Sequence, residues 1–439
     1  MSLLAVTIKN RDAQAVAARA IMHSGGSVTW SARPSGPEWL WRALGDPLFY
    51  RTNSRPAGPE WLRRVLGDAF FSTASSVDFY ATKVDGSVLG CIDSLTDLQS
   101  LDLTNTNVGD NGLDHLKRLH GLTKLRLNGT PVSGAGLGKL NGLSQLLVLS
   151  LNGASVTDSG LRSLEGLTHL TCLSIEGTRV GDAGIVHLRP LSDLRVLGLS
   201  HTNVTGAGLA NLAGMNCLCD LALSHTRVSD AGLEHLKQSR RLYRLDLSDT
   251  LVTDAGMEAL KNLPRLEQLV LDGTKVSDAG LARFSGLTHL ERLQLNRTPV
   301  TGIGLGSLNG LRALEQLEIE DSKVADDGLS HIRGLGSLKA LLVNHTRLTD
   351  VGLKYLKDLK KLRFLGLSFT AVSDRGLADL EGLTDLEWLG LDGAAISDAG
   401  LVHLFGLRQL QRLELKRTKV SRVGVKKLRE ALPRCSIAY

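Results

Sequence analysis

Two histidines and an aspartate, His201, His225 and Asp249, fall 24 residues apart. At that spacing two imidazoles and a carboxylate on neighbouring rungs of a ladder could share a divalent metal. Side chains on parallel rungs project the same way instead of converging, and His345 repeats the position without such partners. Solvated stacking is therefore expected, and no metal ligands are assigned. Seven Ser/Thr-Asp pairs, Thr157-Asp158, Ser229-Asp230, Thr253-Asp254, Ser277-Asp278, Thr349-Asp350, Ser373-Asp374 and Ser397-Asp398, set a hydroxyl beside a carboxylate. Each opens an apolar, helix-like run, so the pair is expected to cap that helix and hold the carboxylate at its positive end, a structural role. The histidines at 115, 187, 235, 331 and 403 each precede a Leu in the same runs and read as solvent-facing. No Ser-His-Asp order, H-E-x-x-H or phosphate-cradling glycine loop occurs. Cys217-x-Cys219 is too tight for a redox or zinc C-x-x-C, and Cys91, Cys172 and Cys435 complete no even framework. Reduced thiols in a cytoplasmic protein follow. The chain is expected to be no enzyme and to carry no cofactor.

The elements that position these residues repeat. From Thr82 to Thr418 the chain advances in steps of 24 and lands on Thr, Ser or Ala each time, while Gly112 to Gly424 recur in the same register. Each unit reads as Leu98-x-x-Leu101-x-Leu103-x-x-Thr106-x-Val108, then Gly112-Leu113-x-x-Leu116-x-x-Leu119. The apolar period switches from 2 to about 3.6 within a unit, which predicts a short strand followed by a short helix. One unit cannot bury its own apolar face, so units must stack, strands forming a parallel ladder and helices the opposite wall. Leu101, Leu103, Val108, Leu113, Leu116 and Leu119 are the expected core positions. The Thr hydroxyl, at the end of each strand, is expected to bond the backbone of the next coil. Fourteen full units, a strand at Val77/Phe79 and another at Ile437/Tyr439 predict sixteen strands and a ladder of roughly 70 Å.

With its L-x-x-L-x-L-x-x-T-x-V-T-D-x-G-L-x-x-L unit, the chain resembles the bacterial type of leucine-rich repeat over roughly residues 74–439. It is also similar to the repeats of F-box substrate receptors, which carry Cys where this chain has Thr. The resemblance implies an α/β solenoid, a horseshoe with a concave parallel strand face, short helices on the convex face and a helical N-terminal cap. It implies a concave face that binds other macromolecules, usually proteins. It implies no chemistry, since a fold does not set one.

Residues 1–73 are of another kind, holding four of the five Trp and lacking the 24-residue step. Residues 12–23 predict a helix ended by Gly25-Gly26, and Ser27 to Trp30 a strand. A tandem duplication follows, at 36–49 and 58–71: Gly36-Pro37-Glu38-Trp39-Leu40 recurs as Gly58-Pro59-Glu60-Trp61-Leu62. Many bacterial proteins of this type carry one such element before their repeats, so the second copy is assigned the capping role and the first is expected to pack loosely. The domain reading is thus a capping segment, 1–73, and a solenoid, 74–439.

Net charge is +6, but residues 1–73 supply +4 and residues 414–434 another +6, leaving the long middle near −4. A general nucleic-acid-binding face is not expected from that distribution. The basic C-terminal stretch reads as a solvated cap. No secretory signal stands out and no run of eighteen apolar residues occurs, so no membrane span is expected. The Asn-x-Thr sequons at Asn128, Asn203, Asn296 and Asn344 arise from the repeat itself.

Aromatics make up only 4% of the chain, so two in one column carry information. Phe364 and Trp388 occupy the same position in successive units and are expected side by side, with Ala340, Leu342 and Phe369 next to them. Gly366 and Gly390 are expected to leave room there for a ligand side chain. Glu318, Glu320 and Asp321 form an acidic rim upstream. An aromatic anchor inside a charged rim is the usual makeup of an interaction hot spot. The expected function is a monomeric, non-enzymatic scaffold that binds a protein through residues 316–392. The alternative is a recognition subunit or effector of ubiquitin-ligase type, although no F-box-like pattern is present in residues 1–73; a cryptic enzyme ranks last.

Overall fold

The computed structural model describes residues 13–14, 16–31, 73–261 and 263–439. The duplicated Gly-Pro-Glu-Trp-Leu segments lie outside the described residues, and so does the capping role assigned to the second copy. The described residues form two compact units, one ending at Asn203 and one beginning at Val204.

In the first unit, residues 16–23 are helical and bury Ala17, Ala18 and Ile21. Gly25, at φ +82°, ends that helix, and the Gly26 N–H closes back on the Ile21 carbonyl at 2.9 Å, a left-handed helix stop. Strand β1 (Ser27–Ser31) then pairs antiparallel with β2 (Thr73–Asp78). The strand expected at Ser27 to Trp30 is thus present, while its antiparallel pairing with the first rung was not expected from the sequence. Strands β3 (Ser100–Asp102), β4 (Lys124–Arg126), β5 (Val148–Ser150), β6 (Cys172–Ser174) and β7 (Val196–Gly198) continue from β2 in parallel.

The second unit is a parallel ladder of β8 (Asp220–Ala222), β9 (Arg244–Asp246), β10 (Gln268–Val270), β11 (Arg292–Gln294) and β12 (Gln316–Glu318), followed by β13 (Ala340–Leu342), β14 (Phe364–Gly366), β15 (Trp388–Gly390), β16 (Arg412–Glu414) and β17 (Ser436–Ala438). Strand partners are 24 residues apart, as Leu317 with Leu341 and Leu365 with Leu389. The sequence period is therefore the strand register, and a slip of one residue would turn the Leu pairs out of the core. The expected core positions Leu101, Leu103, Val108, Leu113, Leu116 and Leu119 are fully buried. Most of the helical pieces between strands are only three to seven residues long, mixing α and 3₁₀ turns; the exception is Arg422–Ala431, before β17.

Two expected polar contacts differ in their partners. The Thr ladder does not reach the next coil: Thr106 Oγ1 donates to the Leu103 carbonyl at 2.7 Å, and Thr226 Oγ1 to Leu223 at 2.7 Å. Each hydroxyl satisfies a buried carbonyl three residues back in its own coil, worth about 1 kcal/mol. The Asp residues do the reaching instead. Asp278 Oδ1 accepts the Thr301 N–H at 2.8 Å and Oδ2 accepts the Thr301 hydroxyl at 2.5 Å, and Asp110–Ser133, Asp254–Ser277 and Asp350–Ser373 repeat the pattern. Capping by the hydroxyl survives in part: Ser277 accepts from the Ala279 N–H, whereas Thr157 and Ser229 make no side-chain cap. The next coil offers an unpaired N–H and hydroxyl one rung away, so the carboxylate staples coil to coil.

That staple explains the glycine ladder. A Cβ on Gly304 would lie 2.3 Å from Asp278 Oδ1, and one on Gly280 2.6 Å from Asp254 Oδ1. Where Asp is replaced by Gly134, the following glycine packs on it directly, with a Gly160 Cβ placed 2.6 Å from the Gly134 Cα.

Candidate protein-binding surface

The strand face of the second unit is built from columns of equivalent positions. Phe364 and Trp388 are register partners on β14 and β15, with Ala340 before them and Arg412 after. One strand spacing is ~4.8 Å, so the two side chains leave adjacent strands at the same register. Phe364 is 39% exposed and Trp388 half-buried, in a chain whose inward Leu side chains are almost wholly buried. The Arg363 guanidinium lies 5.9 Å from the Phe364 ring centre and also pairs with Glu387.

The glycines beside these rings do not leave open pockets. A Cβ at Gly390 would meet Trp388 Cη2 and Cζ2 at 3.0 Å, and one at Gly366 would meet Asn344 Nδ2 at 2.8 Å and Leu342 Cδ2 at 3.1 Å. The room that a side chain at these positions would fill is taken up by Trp388, Asn344 and Leu342, so a ligand meets the outer faces of the aromatic groups.

Phe369 has the most constrained backbone of the set. It stands in the turn column that leaves the strand, where the chain is left-handed in every coil: Asp321, His345, Phe369, Gly393 and Arg417 have φ of +51°, +56°, +56°, +69° and +59°. Glycine and asparagine adopt this conformation readily, a phenylalanine rarely. The Phe369 ring stacks on His345, centroids 4.5 Å apart and planes 12° off parallel, and the Arg417 guanidinium lies 5.9 Å from it on the far side. Gly393 makes this possible, since a Cβ there would lie 2.5 Å from Phe369 Cδ1. His345, read from the sequence as a solvated residue without partners, is thus part of the cluster. Its 24-residue offset from Phe369 was the available signal.

The acidic rim occupies the coil of β12. Glu318 Oε2 accepts from Asn296 Nδ2 at 3.4 Å, and Glu320 accepts from Asn344 Nδ2. Burial raises the Glu320 pKa above the usual carboxylate range; the Asn344 hydrogen bond opposes this, and Glu318 and Asp321 add to it. Asp272, two coils upstream, is raised by burial as well. A carboxyl raised in the folded state destabilises the fold once ionised, so its stability contribution is lost as pH rises through the folded pKa. Glu320→Gln is expected to melt higher than wild type at neutral pH, with the difference closing at acid pH; thermal melts across that range check it.

His225 Nε2 pairs with Asp249 Oδ2 at 3.3 Å, and Arg297 shares the same carboxylate at 3.1 Å. His201, at φ +57°, lies in the first unit and His225, at φ +54°, in the second. Among the described residues no group of three His, Cys, Asp or Glu side chains is arranged to hold a metal ion. Also among them, no helix is long and apolar enough to cross a membrane.

Comparison with known proteins places this architecture. A leucine-rich repeat region is matched over residues 78–329. The structure is similar to an internalin (InlF) from Listeria monocytogenes, 25% identical, covering 73% of this chain and 88% of that one with a TM-score of 0.57. It is also similar to a leucine-rich repeat protein from Leptospira interrogans, 19% identical, covering 80% and 92% with a TM-score of 0.60, a likeness of fold alone. No curated protein sequence matches the chain.

Proposed function

The chain belongs to the leucine-rich repeat family, and on that premise we propose that it is a non-enzymatic scaffold binding a protein partner at Phe364, Trp388 and Phe369 on the strand face of its second unit. Proteins of this family generally mediate protein–protein interaction. The observation that carries the site is Phe369, an aromatic side chain 39% exposed whose ring stacks on His345 with centroids 4.5 Å apart. The rings of Phe364 and Trp388 on adjoining strands extend the apolar area beside it.

The test is affinity capture on wild type and on Trp388→Arg. Trp388 is half-buried at the surface and borders Arg412 on the next strand, so the substitution is expected to shift the melting temperature little. A partner retained by the wild type should bind the variant about tenfold more weakly, the loss usual for an aromatic anchor. Unchanged affinity would remove this cluster from the binding surface.

A further inference from the structure

Strands β12 to β15 are each paired on both edges, so a partner cannot add a strand there and must be read through its side chains. Along these strands the exposed charge changes sign. The coil 315–321 carries Glu315, Glu318, Glu320 and Asp321 and no cation. Lys339 neutralises Glu315 at 2.6 Å, while Glu318 and Glu320 accept from the amides Asn296, Gln316 and Asn344 and, among the described residues, enter no ion pair. Beyond the aromatic cluster come Arg412, which pairs with Glu414 at 2.6 Å, and then Lys416 and Arg417, so that coil is net positive. An interface of this kind is complementary to an occupant with the opposite polarity.

Resting on the aromatic cluster as the binding site, we infer that the partner presents an extended segment crossing the strands, with a Lys or Arg over Glu318, Glu320 and Asp321 and an aromatic or large aliphatic side chain on Phe364 and Trp388. The acidic coil is two strands from Phe364 and three from Trp388, hence about 10 and 14 Å at the ~4.8 Å strand spacing. An extended chain rises about 3.3 Å per residue, so cation and anchor are separated by roughly three or four positions. The segment's cationic end faces β12 and its opposite end faces β16.

A random dodecapeptide library displayed on phage and selected against the full chain tests this. Enriched sequences should carry Lys or Arg at that spacing from Phe, Trp or Leu, and a synthetic peptide of the winning sequence should bind Glu318→Gln/Asp321→Asn about tenfold more weakly than wild type and lose affinity as salt rises. Both substitutions keep side-chain shape, and Asn tolerates the left-handed backbone of position 321, so folding is retained. Winners that lose affinity on Trp388→Arg but carry no cation, or ignore the neutralised rim, would overturn the inference and leave the aromatic site standing. Winners indifferent to Trp388→Arg would overturn both. Self-association abolished by Lys426→Glu/Lys427→Glu would also overturn it, by identifying the occupant as the basic C-terminal helix of a second copy.

Discussion

Gly160→Ala is expected to lower the stability of the first unit by about 2–3 kcal/mol, while Gly166→Ala, six residues on, leaves it unchanged or slightly raised. A Cβ at Gly160 would come within 2.6 Å of the Gly134 Cα and 3.4 Å of its nitrogen, whereas nothing lies within 4 Å of one at Gly166. The obstacle at Gly160 is backbone of the adjoining coil, which cannot rotate aside as a side chain can. Relief requires the coils to separate, and separation breaks the packing of Leu161 and Leu137, both fully buried. Urea titrations of the two variants followed by circular dichroism measure the difference. Equal midpoints would mean that the coils yield at this contact.

The second large effect concerns the staple. Asp278→Ala removes the acceptor of the Thr301 N–H and hydroxyl, at 2.8 and 2.5 Å, and is expected to cost about 2 kcal/mol because hydrogen bonds to a charged group are the stronger kind. Gly304→Ala is expected to cost about 2–3 kcal/mol by overpacking, since its Cβ would lie 2.3 Å from Asp278 Oδ1. The two are not independent. Removing the carboxylate removes the oxygen that excludes a methyl group at 304, although the Asp278 Cα, 2.9 Å from the same Cβ, stays. The double variant should therefore be more stable than the sum of the single effects implies, by about 1 kcal/mol, where distant sites would add. Strict additivity in a double-mutant cycle would show that the glycine is required by backbone alone.

Much of this molecule was legible in its residues. The 24-residue step set the strand register, because Leu pairs such as Leu317 and Leu341 can share one core face in only one alignment. The core positions followed from the change of apolar period within each unit, and the adjacency of Phe364 and Trp388 from their equal place in successive units. Contacts whose partner lies one coil away were less visible. Ser277-Asp278 looked like a local cap, yet the carboxylate bonds Thr301, a residue 23 positions on, because stacking brings that N–H and hydroxyl within reach.

By itself, the sequence determined that units stack, which residues they bury and which side chains share a column, since all three depend on periodicity alone. The tertiary structure decided what each polar side chain bonds and how the candidate surface is shaped. The left-handed turn column holds Asp321, His345, Phe369 and Arg417, residue types with no common local signal, and their φ values are imposed by the stacked coils on either side. It likewise decided that Trp388 lies over Gly390 and Phe369 over Gly393, because a ring takes whatever room its neighbouring rung leaves. Side-chain direction depends on contacts made across coils, and no pattern read along the chain contains it.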